Sequence, residues 1–171
     1  KILQSGEKVS GGKRPNIIDE QTPWKNMLLA AEQSMFGSSI AAYRNADKPR
    51  YVSSIFHGMY SREVYDTVGF YDTRLARTED NDMSERISKA GYKLHYDPEI
   101  VSYQHTRSTL KGMLRQKYLN GFWIGRTMGI NPHCFSIYHF VPFVFVLGIL
   151  LTSILTVCGH PTLAVLMWSA Y

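Results

Sequence analysis

The last quarter of the sequence lacks formal charge. The chain holds 19 Lys and Arg residues against 14 Asp and Glu, a net charge of +5, and all of them lie at or before Arg126. Between positions 127 and 171 only three histidines can become cations. A charged surface is the usual exterior of a folded domain, so this segment is not expected to be one. We expect a charged globular part followed by an apolar tail.

Cysteine is also scarce. The two residues present, Cys134 and Cys158, lie beside or within the apolar tail. Their spacing excludes a zinc motif and a disulfide framework, and we expect both to pack as small apolar side chains. A reduced, cytosolic globular part is the simplest interpretation.

The globular part contains no basic cluster interleaved with aromatic residues, and the sequence shows no repeat or low-complexity segment. Nucleic acid is therefore not an expected partner. The excess of Lys and Arg is better explained by contact with lipid headgroups. Because the chain starts at Lys1 without an initiator Met, we interpret it as a fragment of a longer membrane protein.

The apolar tail predicts membrane-spanning helices. The run 140–158 is uncharged, and a second apolar run starts at Thr162 after a predicted turn at 159–161. About 20 apolar residues cross a bilayer, so we expect transmembrane segments at about 138–158 and from 162 onward. The alternative, buried core helices, is unusual for two consecutive helices that are apolar all round. Basic residues in 111–126 place the preceding part in the cytosol.

Hydrophobic periodicity and turn residues predict the elements of the globular part. Residues 1–21 are polar and glycine-rich and are predicted to be a loop, after which Thr22 and Pro23 begin a helix. A strand is expected at 51–56, and Ser61 begins a short helix that ends at Gly69. The segment 92–96 is predicted as a strand broken at 97–98 by an Asp-Pro pair, with another strand at 100–105. The helix 107–128 has an amphipathic pattern that fits either a membrane interface or an ordinary core-facing helix.

Two adjacent carboxylates, Glu79 and Asp80, follow Thr78 at the start of a predicted helix whose core positions are Met83 and Ile87. The free N–H groups and dipole of a first helical turn favour an ionised carboxylate. An ionised, fixed carboxylate is suited to act as a general base. The alternative is that Asp80 only caps the helix.

Several motifs occur in a particular order along the chain: 11–12 (GG), 36–37 (FG), 57–63 (HGMYSRE), 68–72 (VGFYD), 78–80 (TED), 90–93 (AGYK), 97–98 (DP) and 115–116 (RQ). In this order and spacing the chain resembles the C-terminal half of a family 2 glycosyltransferase. It is most similar to the membrane-bound, succinoglycan-type exopolysaccharide transferases. The resemblance covers most of residues 9–126.

The resemblance implies an α/β fold, namely the C-terminal part of a GT-A (nucleotide-diphospho-sugar transferase) domain at 1–106. An amphipathic interfacial helix at 107–132 and transmembrane segments at 133–171 would follow. It also implies that Asp80 is the base of an inverting transfer and that Glu79 orients the acceptor or Asp80. His57 and Gly58 would line the acceptor side, although Gly58 also suits a plain turn.

The donor side is expected to include Arg115, Gln116 and His105 near the pyrophosphate. Arg115 is equally suited to solvent or headgroups, and His105 to a hydrogen bond at a strand end. The family uses a divalent metal, Mg or Mn, which His105 could contact. Its main Asp-x-Asp motif would precede Lys1, and we interpret the match at 80–82 as coincidental. The fragment alone is then expected to be inactive.

The predicted function is transfer of a sugar from a nucleotide-sugar donor to a glycan acceptor, lipid-linked, in surface or extracellular polysaccharide synthesis. The implied partners are the donor, the acceptor and the lipid bilayer, in a multi-pass protein of the plasma membrane. The Gln-x-x-Arg-Trp pattern of processive relatives is not matched after Gln116, which favours addition of single sugars. The alternative is a non-catalytic membrane adaptor or assembly subunit that keeps the fold.

Overall fold

The computed structural model describes residues 6–34, 46–135 and 137–170. Within these ranges it contains six strands and six α-helices. The strands are β1 (Val9–Lys13), β2 (Asn16–Ile17), β3 (Arg50–Val52), β4 (Met59–Tyr60), β5 (Leu94–Val101) and β6 (Gln104–His105). The helices are α1 (Pro23–Gln33), α2 (Arg62–Val68), α3 (Glu79–Lys89), α4 (Leu110–Met128), α5 (Val141–Val157) and α6 (Thr162–Ala170).

A four-stranded sheet in the order β3-β5-β1-β4 organises the first part of the chain. The strand β1 is parallel to β5 and antiparallel to β4, and β3 is antiparallel to β5. A second, two-stranded sheet pairs β2 with β6 in parallel. The α/β class predicted from the sequence agrees with this arrangement, whereas its assignment to GT-A stays a prediction.

The prediction that residues 1–21 form a loop is wrong, because β1 lies at the centre of the sheet. Its glycines are there for space: a Cβ on Gly11 would lie 2.0 Å from Ile55 Cγ2, and one on Gly12 would lie 1.8 Å from the carbonyl oxygen of Ile100. Glycine weakens a strand but permits another backbone to approach closely. The composition indicated a loop, while the tertiary contact required a strand.

The predicted break at residues 97–98 is also wrong, since β5 continues through Pro98. The register against β1 shifts at this point: Gly12 pairs with Asp97, and Lys13 pairs with Val101. Proline is tolerated in a sheet at a bulge of this kind, where its missing N–H interrupts no ladder.

The core of the first part lies between the sheet and helices α2 and α3. Its six buried side chains come from distant parts of the chain: Val9, Ile55, Val64, Met83, Ile87 and Leu94. The helix predictions hold here. Thr22 Oγ1 accepts from the Lys25 N–H at 3.2 Å at the start of α1, and Gly69 ends α2 with φ of +77°. The predicted helix end at Phe36-Gly37 lies outside the described residues.

The chain divides into two compact units, Lys1–Cys134 and Phe135–Tyr171. In the second unit α5 packs against α6, with Met167 Sδ of α6 3.9 Å from Thr152 Oγ1 of α5. Gly159, with φ of +88°, separates the two helices as the sequence predicted.

The transmembrane prediction is wrong for the part of the chain that the structure describes, where no helix is both long and apolar enough to cross a bilayer. Helix α5 is apolar but has 17 residues, and at 1.5 Å per residue it extends about 25 Å against a hydrocarbon thickness of about 30 Å. Helix α6 has nine. The apolar run is longer than the helix that it forms, because Pro142 stands in the first turn and the helix ends before Gly159.

Candidate active site

Helix α3 carries the two predicted catalytic carboxylates in its first turn. It begins after Thr78, so Glu79 and Asp80 are its first two residues. The helix dipole is complemented at both ends. Acidic residues lie in the first turn, and Arg86 and Lys89 lie in the last. The helix ends in a Schellman arrangement, in which the N–H of Gly91 donates to Ser88 and that of Tyr92 donates to Ile87. Local signals alone therefore define this helix.

Both carboxylates line a cleft of about 420 Å³. This volume lies within the usual range for small-molecule sites. The lining residues come from the loop after β3, the loop between α2 and α3, and the first turn of α3: Phe56, His57, Tyr71, Asp72, Thr73, Leu75, Ala76, Glu79 and Asp80. The structure thus brings His57, Glu79 and Asp80 together, as the sequence predicted.

Asp80 has the properties of a poised base. It is half-buried, and burial together with the adjacent Glu79 charge raises the pKa of its carboxyl from 3.8 to about 6. Hydrogen bonds from its own backbone and that of Asn81 act in the opposite direction, as does the Arg14 charge. The Asn81 N–H donates to Asp80 Oδ1 at 2.8 Å. A carboxylate in this pKa range is ionised at neutral pH yet basic enough to accept a proton.

Glu79 presents an unsatisfied acceptor at the same cleft. Its Oε2 is shielded from solvent, and no hydrogen-bond partner for it occurs among residues 6–34, 46–135 and 137–170. A shielded acceptor without a donor is costly.

Arg14, from the turn between β1 and β2, places a positive charge behind the cleft wall. Its guanidinium carbon lies 3.5 Å from the centre of the Phe56 ring, a cation–π contact. Burial, followed by the Arg14 charge, lowers the pKa of the neighbouring His57. His57 has φ of +52°, a left-handed conformation that is uncommon for a non-glycine residue.

Gly58 is required by the aromatic group behind it. A Cβ at this position would lie 2.6 Å from Tyr60 Oη. The Tyr60 ring in turn packs edge-to-face on Tyr71 with centroids 6.3 Å apart, and burial and the Tyr71 hydroxyl raise the Tyr60 pKa strongly. Gly58 is therefore not itself in the lining but allows Tyr60 to support Tyr71, which is.

Hydrogen bonds from the far end of α4 fix α3. Thr78 and Thr127 share a buried hydrogen bond of 2.5 Å between their hydroxyls. Asp82 accepts from Asn131 Nδ2 at 2.8 Å on one oxygen and from Arg86 Nε at 2.9 Å on the other. Both oxygens of Asp82 are thus engaged with protein groups, unlike Oε2 of Glu79.

Phe70 faces a different depression, of about 540 Å³, whose lining includes Asp72, Arg86 and Asn131. The charged residues that line this depression are paired with one another. Arg74 pairs with Asp72 at 2.6 Å, Lys89 pairs with Glu85 at 2.6 Å, and Arg86 pairs with Asp82. It therefore offers no uncompensated charge to a ligand.

The three residues predicted for the donor side do not line the cleft. His105 Nδ1 lies 2.5 Å from Asp19 Oδ1, and Gln116 accepts from Arg107 Nε at 3.0 Å. Arg115 is exposed on α4. Their roles at a pyrophosphate stay predictions.

The described ranges contain no group of three or more His, Cys, Asp or Glu side chains that could hold a metal ion. Asp19 is the acidic neighbour of His105, and a divalent metal site needs more ligands than this pair. The divalent metal, whose main ligands were expected outside this chain, stays a prediction.

Sequence reasoning missed Arg14, Tyr71, Thr127 and Asn131 as parts of the site. Tyr71 lies within the motif at 68–72, which could have pointed to it. The other three are single polar residues without a local pattern, and only the tertiary fold brings them to α3.

The sequence is similar to the dolichyl N-acetyl-alpha-D-glucosaminyl phosphate 3-beta-D-2,3-diacetamido-2,3-dideoxy-beta-D-glucuronosyltransferase of Methanococcus voltae. The two are 28% identical over 107 residues, which cover 60% of this chain and 33% of that protein. The chain thus spans about a third of the length of this relative. No family model matches the chain, and no solved structure does. The relative is a glycosyltransferase, which supports the general class predicted from the sequence.

Proposed function

We propose that this chain is the catalytic part of a family 2 glycosyltransferase. It moves a sugar from a nucleotide-sugar donor to a lipid-linked glycan acceptor in surface or extracellular polysaccharide synthesis. The observation that carries the proposal is the half-buried Asp80, with a pKa of about 6, beside the unsatisfied Glu79 in one cleft. Similarity to a transferase whose name includes a dolichyl-linked substrate supports both the reaction class and the lipid-linked acceptor.

In the proposed reaction Asp80 accepts the proton of an acceptor hydroxyl. The hydroxyl oxygen forms a bond to the anomeric carbon of the donor sugar as the bond to the nucleoside diphosphate breaks. A single displacement of this kind inverts the anomeric configuration. At pH 7 a group with a pKa of about 6 is about nine-tenths ionised, so the base is available without being too weak.

Glu79 has a different role from Asp80 in this mechanism. From its place in the cleft lining it orients the acceptor or holds Asp80 in position. Alignment within hydrogen-bond reach is what makes a neighbouring base effective. No step is assigned to a divalent metal, because the described residues do not provide its ligands.

Helix α4 supplies a reason for the acceptor to be lipid-linked. Leu110, Leu114, Tyr118 and Phe122 repeat every fourth residue and are exposed, Tyr118 to 70%, while Lys111 and Arg115 are exposed nearby. A helix with an apolar stripe flanked by cations is suited to the surface of a bilayer. We propose that this stripe lies at the cytosolic membrane surface, where a lipid-linked acceptor is within reach.

The test is release of nucleoside diphosphate by the full-length protein from a panel of nucleotide sugars, with a polyprenyl-phosphate-linked N-acetylglucosamine as acceptor. Asp80→Asn should reduce turnover by at least 10²-fold, as expected for loss of a general base. Glu79→Gln should raise the acceptor KM more than it lowers kcat.

The matched control is Asp66→Asn. Asp66 is an exposed helical carboxylate in a loose 3.9 Å pair with Arg62, and its loss should leave turnover unchanged. Equal turnover of the wild type and Asp80→Asn would remove Asp80 from the mechanism. Absence of turnover with every donor would contradict the transferase proposal itself.

A further inference from the structure

The cleft beside Asp80 has one aromatic wall whose position is fixed from behind. Tyr71 lines the cleft and is 38% exposed. Tyr60 packs on it edge-to-face at 6.3 Å, and Tyr65 packs on Tyr60 in the same manner at 5.5 Å. Gly58 leaves the room that Tyr60 needs. The Tyr71 ring is therefore held in place before any ligand binds.

The lining of the cleft combines polar and apolar groups. Glu79 and Asp80 provide carboxylate oxygens, whereas Phe56, Tyr71 and Leu75 provide apolar surface. A pyranose has the complementary character, since its hydroxyls lie around the ring edge and its C–H bonds form an apolar face. Such a face packs on the electron-rich face of an aromatic ring.

We infer that Tyr71 is the stacking platform for the acceptor sugar, and that its ring holds the pyranose face while Glu79 and Asp80 bind the hydroxyl edge. This inference rests on the proposed function, because it assumes that a sugar hydroxyl reaches Asp80. The sugar ring next to a general base must belong to the nucleophile, since the base has to lie within about 3 Å of the reacting hydroxyl oxygen. The occupant is thus the acceptor, and a nucleobase of the donor is excluded from this wall.

Tyr71 is then a determinant of acceptor binding and takes no proton itself. Removing its ring should weaken the acceptor and leave the donor unaffected. We expect Tyr71→Leu to raise the acceptor KM about tenfold, near the lower end of what stacked planar ligands lose with their aromatic partner. The donor KM should stay within about twofold, and Tyr71→Phe, which keeps the ring, should stay within about threefold for both.

Phe70→Leu provides the matched control. Phe70 is the neighbouring residue, belongs to the same aromatic group through a 5.1 Å stack on Tyr65, and is 75% exposed, but it faces the other depression. Its substitution disturbs the aromatic group to a similar degree without touching the cleft. Both acceptor and donor KM should be unchanged.

The deciding measurement does not depend on turnover. Saturation-transfer NMR with N-acetyl-D-glucosamine as the probe should show transfer to the ring C–H protons in the wild type and Phe70→Leu, and its loss in Tyr71→Leu. Equal transfer in Tyr71→Leu, no transfer in the wild type, or competition by uridine diphosphate alone would overturn the inference. Loss of turnover in every form with transfer intact would contradict the proposed reaction and leave the sugar site standing.

Discussion

Asp80→Asn should make the folded protein more stable while removing its activity. The pKa of about 6 means that the folded state disfavours the ionised carboxylate relative to the unfolded chain, where the value is 3.8. Because a pKa shift of one unit corresponds to 1.36 kcal/mol, this shift costs the folded state about 3 kcal/mol of stability at neutral pH. Asparagine carries no charge and keeps an oxygen for the Asn81 N–H, so most of this cost should disappear.

The size of this stability difference depends on pH. Well below pH 3.8 the carboxyl is protonated in both states, and the two proteins should have equal free energies of unfolding. Between pH 3.8 and about 6 the folded wild type binds more protons than the unfolded chain, so its stability falls as pH rises. Above pH 6 the mutant should exceed the wild type by about 1–3 kcal/mol, the lower values allowing for a new amide N–H without a partner.

Urea denaturation at pH 3.5, 5 and 7.5 measures this difference. The control is Asp82→Asn, two residues along the same helix turn, which loses the ion pair with Arg86 at 2.9 Å in a buried setting. It should destabilise by about 3 kcal/mol, as expected when one partner of a buried pair is removed. If Asp80→Asn instead destabilises the protein at pH 7.5, Asp80 acts as a helix-terminus anion, and the argument for a poised base is refuted.

Three further outcomes follow from the site and the fold. Arg14→Gln should raise the Asp80 pKa and move the acidic limb of the kcat/KM profile, centred near pH 6 in the wild type, to higher pH. Arg14→Lys should return the limb to its wild-type position. A limb that does not move in Arg14→Gln would exclude this electrostatic role. Gly12→Ala should lower the free energy of unfolding by about 3 kcal/mol or more, because the new Cβ meets the backbone of Ile100. Gly121→Ala, in open space on α4, should be neutral or stabilise by up to about 1 kcal/mol. Thermal unfolding measures both, and similar melting temperatures for the two variants would contradict the packing argument. Tyr118→Ser should weaken co-sedimentation with vesicles of anionic phospholipid severalfold, and unchanged binding would remove the α4 stripe from the membrane proposal.

The sequence predicted those elements whose signals are local. Helix α3 has its acidic first turn, its basic last turn and its Gly91 stop within 13 residues, 79–91, and the cleft carboxylates are part of that turn. The start of α1 at Thr22 and the end of α2 at Gly69 were predictable for the same reason. Each needs only its own neighbours in the chain.

The errors arose where a distant contact overrides a local signal. Gly11 and Gly12 indicate a loop by composition, but they lie in a strand because Ile55 and Ile100 approach there. Pro98 indicates a strand end, but a bulge against β1 accommodates it. Arg14 and Thr127 carry no pattern at all, so their places behind Phe56 and against Thr78 depend wholly on the tertiary fold.

The parallel pairing of β1 with β5 sets the order in which this unit can form. Ser10 pairs with His95, about 85 residues later in the chain. At 5–20 residues per second a ribosome needs roughly 4–17 s to synthesise that interval. During this interval β1 has no partner on the side where β5 will lie. The local helices α2 and α3 are complete before β5 has been synthesised. The four-stranded sheet should therefore be completed only after α2 and α3 have formed, and chaperone demand should fall once residue 101 has left the exit tunnel.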